Sequence, residues 1–148
     1  MSQKALSFED ILEAEGSLTY SFRGVSMRPL LHQGRDLFIV EKREPPYHPG
    51  EVILFRRGSQ YVLHRIIEAG RESYTALGDN SVQPDENICP QDILGVMTGF
   101  VRKGRRHSVQ EPGYRLYTRL WMAGRPLRVF YKKSKAKLRK KLSWIKGQ

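Results

Sequence analysis

Cysteine is nearly absent from this chain, because Cys89 is the only one among 148 residues. An intrachain disulfide is therefore impossible, and so is a zinc cluster built from cysteines. The four histidines, His32, His48, His64 and His107, lack the spacing typical of metal ligands. Neither cysteine nor histidine therefore predicts a metal site.

Long apolar runs are missing as well. No segment approaches the run of about 18 apolar residues that a membrane-spanning helix needs. Residues 1–16 contain Glu9, Asp10, Glu13 and Glu15, whereas a cleavable signal peptide begins with a basic segment that an apolar one follows. These two features predict a chain that is cytoplasmic or peripherally associated with a membrane.

Acidic residues are missing from the C-terminal part of the chain. The last one is Glu111, yet residues 112–148 contain 12 of the 26 lysines and arginines. The other 14 basic residues stand against all 15 acidic ones, so residues 1–111 are nearly neutral although the whole chain has a formal charge of +11. This change predicts a body over residues 1–104 and a basic helical tail over residues 105–148.

The body has the pattern of a mainly β domain with a short helix in front. Ser7 resembles a helix N-cap and Gly16 a helix end, so we expect a helix over residues 7–16. Frequent turn signals between short apolar segments favour antiparallel strands over alternating βα units. The predicted strands span residues 18–23, 36–40, 52–55, 61–68, 73–77 and 93–102, with a polar loop over residues 78–90.

The tail is helical in pattern, with predicted helices over residues 114–122 and 126–145. Apolar residues form a rough stripe and basic residues cover much of the remainder. Such a helix binds an anionic membrane or a nucleic acid, or is simply solvated. We favour the membrane, because tryptophans suit a bilayer interface. The candidate residues for an anionic partner are Trp121, Lys132, Lys133, Lys137, Lys140 and Trp144.

Residues 24–29, Gly-Val-Ser-Met-Arg-Pro, place a serine in a rigid turn after the first strand. Gly24 permits a sharp turn, and Pro29 stops a strand or helix from continuing. Taken alone, Ser26 is typical of a turn serine that bonds its own backbone. A hydroxyl held rigidly at the end of a strand is also a suitable nucleophile.

Three further residues are ordinary when each is taken alone. His64 lies in a predicted strand and is typical of a core histidine, whereas Asp79 and Asp85 lie in a polar loop. Together with Ser26 they supply a nucleophile, a base that takes its proton and a carboxylate that orients the base. These are the groups that acyl transfer requires.

Three blocks in this order resemble the type I signal peptidase and LexA-like serine peptidase superfamily. They are Gly-x-Ser-Met-x-Pro at residues 24–29, Val-Leu-His-Arg-Ile at residues 62–66 and Gly-Asp-Asn at residues 78–80. The resemblance covers residues 18–103 and implies a serine endopeptidase on coiled β-sheets that needs no cofactor. It also implies a substrate peptide that binds as an added strand.

The resemblance assigns roles to particular residues. The nucleophile matches Ser26, and His64 stands where bacterial signal peptidases have a lysine as the base. This arrangement is similar to the endoplasmic-reticulum and archaeal branch, in which two aspartates match Asp79 and Asp85. We expect Asp85 to orient His64 and Asp79 to organise its loop. Arg65 also matches, and we expect it to pair with a carboxylate.

Two features differ from the family's pattern. Gly24 stands where bacterial signal peptidases have a serine that helps to bind the oxyanion. We therefore expect the oxyanion hole to consist of backbone N–H groups in the turn formed by Gly24, Val25 and Ser26. The family's membrane-spanning helix is missing from this sequence, and peripheral docking of the basic tail on a membrane is the expected replacement.

Two other functions stay open on the sequence alone. A LexA-like autoprotease or regulator needs a self-cleavage site before the serine, commonly Ala-Gly. The 25 residues before Ser26 contain no such pair, and Ala69-Gly70 follows the serine. A catalytically inactive module would bind nucleic acid or a membrane through the basic tail. We favour a peptide or precursor-protein substrate and a monomeric protein.

Overall fold

The computed structural model describes residues 5–147, which form one curled antiparallel sheet with a helix at each end. This arrangement confirms the predicted mainly β class with a short N-terminal helix and a C-terminal helix. The elements in chain order are α1 (Phe8–Glu15), β1 (Ser17–Ser21), β2 (Asp36–Glu41), β3 (Val52–Arg57), β4 (Gln60–Ala69), β5 (Tyr74–Leu77), β6 (Asp85–Ile88), β7 (Ile93–Arg102), β8 (Arg105–Ser108) and α2 (Pro112–Lys146).

The strands follow the order β1-β2-β7-β3-β4-β5-β6, and β8 pairs with β7. Among the described strands, β1 pairs only with β2. The first half of β4, residues 60–64, pairs only with β3, because the pairing with β5 begins at Arg65. Both strands therefore present a backbone edge without a strand partner.

The helix α1 joins these two edges at one end. Ser7 is the predicted N-cap and forms a capping box with Asp10. Gly16 ends the helix with a φ of 75°, in the left-handed region that glycine adopts without strain. The Phe8 ring lies 4.9 Å from Tyr20 of β1 and 4.5 Å from Tyr61 of β4, measured between ring centroids. These contacts fix how far apart β1 and β4 lie.

Two clusters of buried side chains form the core. They lie on opposite faces of the sheet, because alternate residues of β3 belong to different clusters: Val52 and Leu54 to one, Ile53 and Phe55 to the other. The first cluster also contains Met27 and further apolar residues from the turn that follows β1. The core therefore anchors that turn directly.

The C-terminal helix differs from its prediction. One helix spans Pro112–Lys146, where the sequence predicted two, and Pro126 lies inside it rather than at a first turn. A proline within a helix removes one main-chain hydrogen bond. Contacts on both sides of Pro126 hold this helix to the body. Before it, Trp121 donates its indole N–H to the Asp79 carbonyl oxygen at 3.0 Å, and after it, Lys132 donates to the Asn80 carbonyl oxygen at 2.8 Å.

Two strands were not predicted. The segment predicted as a polar loop contains β6, whose polar sequence Asp-Glu-Asn-Ile carries no strand periodicity and which forms by pairing with β5. The strand β8 folds back on β7 through a two-residue turn in which Lys103 and Gly104 both have positive φ, 52° and 75°. Such turns favour Asn-Gly and Asp-Gly, so Lys-Gly is a weak hairpin signal.

The boundary after residue 104 stays a prediction, and it coincides with the turn of this hairpin. The first turns of α2 contact the body, as Thr118 does with its Oγ1, which accepts a hydrogen bond from Arg65 at 3.2 Å. None of the described helices is long and apolar enough to cross a membrane.

Candidate active site

The turn that holds Ser26 is fixed by a second loop. Asn80 donates its main-chain N–H to the Ser26 carbonyl oxygen at 2.8 Å and its side-chain amide to the Val25 carbonyl oxygen at 3.2 Å. Met27 is fully buried in the core, so the chain on the other side of Ser26 is anchored as well. Gly24 has a φ of 90°, which favours glycine at the sharp change of direction after β1.

His64 and Asp85 lie together in the same region. His64 Nδ1 and Asp85 Oδ2 are 2.7 Å apart, and the other Asp85 oxygen accepts a hydrogen bond from Arg57 at 2.5 Å. His64 is 8% exposed. This pairing assigns the proton of a neutral imidazole to Nδ1 and leaves Nε2 as an acceptor.

The surroundings of His64 favour its neutral form. Burial has the largest effect and lowers the pKa of His64 below its ordinary value. The Asp85 carboxylate opposes this effect and raises the pKa, whereas the Arg57 cation lowers it. The net direction is downward, so the imidazole is unprotonated and able to accept a proton near neutral pH.

Gly78 shows how close His64 lies to the serine turn. A Cβ atom at Gly78 would lie 2.6 Å from the Ser26 carbonyl oxygen and 3.1 Å from His64 Nε2. Both atoms therefore lie within 3.1 Å of one point, and no side chain fits between them. Glycine at this position allows His64 and the turn of Ser26 to approach each other.

Asp79 has a different environment from Asp85. Arg65 Nε and Nη2 each donate to one Asp79 oxygen at 2.9 Å, and both side chains are fully buried. The Tyr117 hydroxyl donates to Asp79 Oδ2 at 2.7 Å, and the Trp121 indole N–H donates to the Asp79 carbonyl oxygen at 3.0 Å. Asp79 therefore joins β4, its own loop and α2.

A cleft of about 1310 Å³ contains the candidate residues Ser26, His64 and Asp85. Its walls are β1 with the segment after it, the first half of β4, the loop after Asn80, and one side of α2. The two strand edges without partners border this cleft. Its lining combines apolar side chains such as Phe22 and Val62 with polar and basic ones.

The structure places three of the four candidate catalytic residues in one cleft and the fourth outside it. Ser26, His64 and Asp85 share the cleft, whereas Asp79 lies behind it against Arg65. Arg57 was missed, and Gly78 was noted only as part of the Gly-Asp-Asn block, because nothing local in the sequence indicates that a strand end or a loop glycine lies beside His64.

For Trp121 the structure corrects the prediction of an interfacial anchor. Trp121 is 5% exposed and packs on the buried Arg65–Asp79 pair, so it is not accessible to a membrane surface. Trp144 is 68% exposed. The Lys132 ammonium group donates to the carbonyl oxygen of Asn80 at 2.8 Å and also to its side-chain oxygen. Lys132 therefore contacts the Asn80 loop, which is hydrogen-bonded to the turn that contains Ser26.

Comparison with known proteins finds relatives among signal peptidase subunits. The chain is 28% identical to the signal peptidase complex catalytic subunit SEC11C of human, mouse and dog, over a 91-residue alignment that covers 51% of this chain and 47% of the relative. No family model matches the chain. No solved structure matches it either. The chain spans about half the length of the curated relatives it matches, and the similarity supports a signal peptidase-like relationship.

Proposed function

We propose that the chain is a serine endopeptidase that cleaves a peptide or precursor protein, with Ser26 as nucleophile, His64 as general base and Asp85 as the group that orients His64. The observation that carries this proposal is the 2.7 Å contact between His64 Nδ1 and Asp85 in a cleft that Ser26 also lines. The similarity to the catalytic subunit of signal peptidase supports the same class of enzyme.

The substrate binds as an extended strand in this proposal. The edges of β1 and of residues 60–64 in β4 offer main-chain donors and acceptors on two sides of the cleft. A peptide between them gains backbone hydrogen bonds whatever its sequence, and the pockets between side chains select particular residues. Ser26 follows β1, so a peptide paired with β1 leads towards the nucleophile.

The reaction follows from the groups around the cleft. Ser26 Oγ attacks the scissile carbonyl carbon while His64 Nε2 accepts the hydroxyl proton, and Asp85 stabilises the resulting imidazolium. His64 then gives this proton to the leaving amine as the C–N bond breaks. Water, activated by the same imidazole, attacks the acyl-enzyme, and its hydroxyl group completes the new carboxyl while Oγ recovers a proton.

The negative charge on the substrate oxygen needs hydrogen-bond donors. The Ser26 N–H donates to no group in the described part of the chain, which makes it the candidate donor for this oxygen. Ser26 Oγ and His64 form no hydrogen bond among the described residues. Proton transfer therefore requires the two groups to approach when the substrate binds, as catalytic hydrogen bonds often do.

Substitution of the two reacting residues tests this function. Ser26→Ala and His64→Ala are each expected to abolish cleavage of a peptide substrate to a similar degree, because the members of such a unit fail non-additively. Thermal unfolding of both variants checks that the fold is retained. An active His64→Ala variant that depends on a lysine near the cleft contradicts the proposed base.

A membrane surface is proposed as a second partner, on the evidence of α2. This helix exposes apolar side chains over most of its length, and basic side chains accompany them. Partial burial of such a stripe at the bilayer surface, with basic groups near anionic lipids, holds a protein peripherally. The exposed apolar residues are Leu116, Leu120, Leu127, Phe130, Tyr131, Leu138, Leu142, Trp144 and Ile145.

Flotation with phosphatidylserine vesicles tests the membrane proposal. The variant Leu138→Ser with Leu142→Ser is expected to float less, whereas Leu37→Ser, which changes an exposed leucine on β2, floats like the unchanged chain. Equal flotation of both variants contradicts the proposal. Binding to an oligonucleotide in place of vesicles favours the nucleic-acid function instead.

A further inference from the structure

One side of α2 forms a wall of the cleft. This wall consists of Lys132 and the residues one, four and five positions after it, which share one side of the helix. They are Lys133, Ala136 and Lys137. They lie in the same cleft as Ser26 and His64. These basic residues are therefore close to the place where the proposed peptidase holds its substrate.

The charged groups of the cleft are almost all positive. Two further cations, Arg23 and Arg57, line it, and Asp85 is the only acidic residue that residues 5–147 contribute to the lining. Asp85 is already engaged by Arg57 and His64. In the described part of the chain, Arg23, Lys133 and Lys137 form no ion pair with a carboxylate. The positive charge of the cleft is therefore not balanced from within the protein.

An unbalanced positive charge in a cleft affects which ligands bind there. Walls of low dielectric concentrate the electric field of the lining charges, so a cleft attracts ligands of the opposite sign. The Lys132 ammonium group is held by Asn80, but Lys133 and Lys137 are exposed and able to reach a bound peptide. An acidic side chain on that peptide would pair with them, and a basic one would be repelled.

We propose that the cleft selects peptides with acidic side chains, and that Lys133 and Lys137 are the residues that determine this preference. This inference rests on the proposed peptidase function for the identity of the occupant, but it concerns binding and not the chemical step. A peptide is favoured over a lipid headgroup, because these lysines line the same cleft as His64 and Ser26.

Peptide binding to the full chain with Ser26→Ala tests the proposal, since no turnover is then needed. One fluorescently labelled peptide of alanines and serines carries two glutamates, and its twin carries two lysines at the same positions. We expect the glutamate peptide to bind about tenfold more tightly in fluorescence anisotropy, because exposed ion pairs contribute little individually and two of them change sign between the peptides. Added salt is expected to reduce the difference.

Charge reversal shows where the preference arises. In Lys133→Glu with Lys137→Glu, the preference for the glutamate peptide should disappear or reverse. The matched control is Lys141→Glu with Lys146→Glu, which makes the same change in net charge at exposed positions of α2 that do not line the cleft, and it should keep the preference.

Several outcomes overturn the inference. Equal binding of the two peptides does so, and so does an equal loss of preference in the control, which indicates a general effect of net charge. Unchanged peptide preference after reversal of Lys133 and Lys137, with loss of binding to phosphatidylserine vesicles, assigns these lysines to a lipid surface. Selective binding by a chain that cleaves no peptide with Ser26 present would keep this inference and contradict the proposed peptidase function.

Discussion

Arg65 and Asp79 form a fully buried ion pair in which two parallel hydrogen bonds of 2.9 Å join the guanidinium group to the carboxylate. Burial by itself lowers the pKa of Arg65, but Asp79 more than offsets this effect and the net direction is upward. Tyr114, Tyr117 and Trp121 of α2 surround the guanidinium group with their rings. The pair therefore links α2 to the loop of Asp79 and Asn80, which is hydrogen-bonded to the turn that contains Ser26.

Removal of one charge from this pair should reduce stability strongly. In Asp79→Asn, Arg65 remains buried without an anionic partner, and breaking such a pair from one side costs about 3–5 kcal/mol. Chemical denaturation is expected to show this loss in the free energy of unfolding. A normally stable Asp79→Asn variant that has lost activity would instead make Asp79 the carboxylate that orients His64.

Asp85→Asn should have the opposite profile. Its contacts are with His64 and with Arg57, whose side chain is 53% exposed, so we expect a smaller loss in the free energy of unfolding than for Asp79→Asn. Activity should fall by about four orders of magnitude, because an asparagine no longer fixes the tautomer or stabilises the imidazolium. Comparison of kcat/KM with that of Ser26→Ala measures the loss, and near-normal activity contradicts the assigned role.

Local patterns indicated the candidate residues better than the contacts around them. Ser26, His64 and Asp79 lie in short blocks with recognisable sequences, and Asp85 follows closely, so the sequence singled them out as candidates. The Arg57 contact joins the end of β3 to the start of β6, although β4 and β5 lie between these strands in the sheet. No local pattern indicates such a long-range contact.

The C-terminal helix shows why its contacts were harder to predict. Its apolar residues lie in two different environments: Trp121 is buried against Asp79, whereas Leu138 and Trp144 are exposed. A periodic pattern shows that a helix has an apolar side but not which part of that side the body covers. For the same reason, the pattern did not predict Lys132 beside Asn80.

The pH dependence of cleavage tests the link between Arg57 and His64. Because only neutral His64 accepts the serine proton, kcat/KM should rise with pH through the pKa of His64 in the free enzyme, below its ordinary value. Arg57→Gln removes a cation that lowers this pKa, so the midpoint should move to higher pH. Arg57→Lys keeps the charge and should keep the midpoint near its original position; a midpoint that Arg57→Gln leaves unchanged contradicts this link.

Shortened chains test how α2 contributes to the body. A chain ending at Val129 keeps Tyr117, Trp121 and Arg128, so its melting temperature should stay close to that of the full chain. A chain ending at Gly104 loses β8 and leaves the Arg65–Asp79 pair without its cover from α2, so it should unfold at a clearly lower temperature.

The two shortened chains also separate stability from the function of the tail. The chain ending at Val129 should fold normally. Because it lacks Lys133 and Lys137, it should bind the glutamate and lysine peptides with equal affinity. A chain ending at Gly104 that is as stable as the full protein would support a division into a body and a tail at that residue. Without α2 the Arg65–Asp79 pair loses three surrounding rings and the Tyr117 hydrogen bond, and it should become exposed to water. Unchanged stability would therefore mean that α2 contributes little to the stability of this pair.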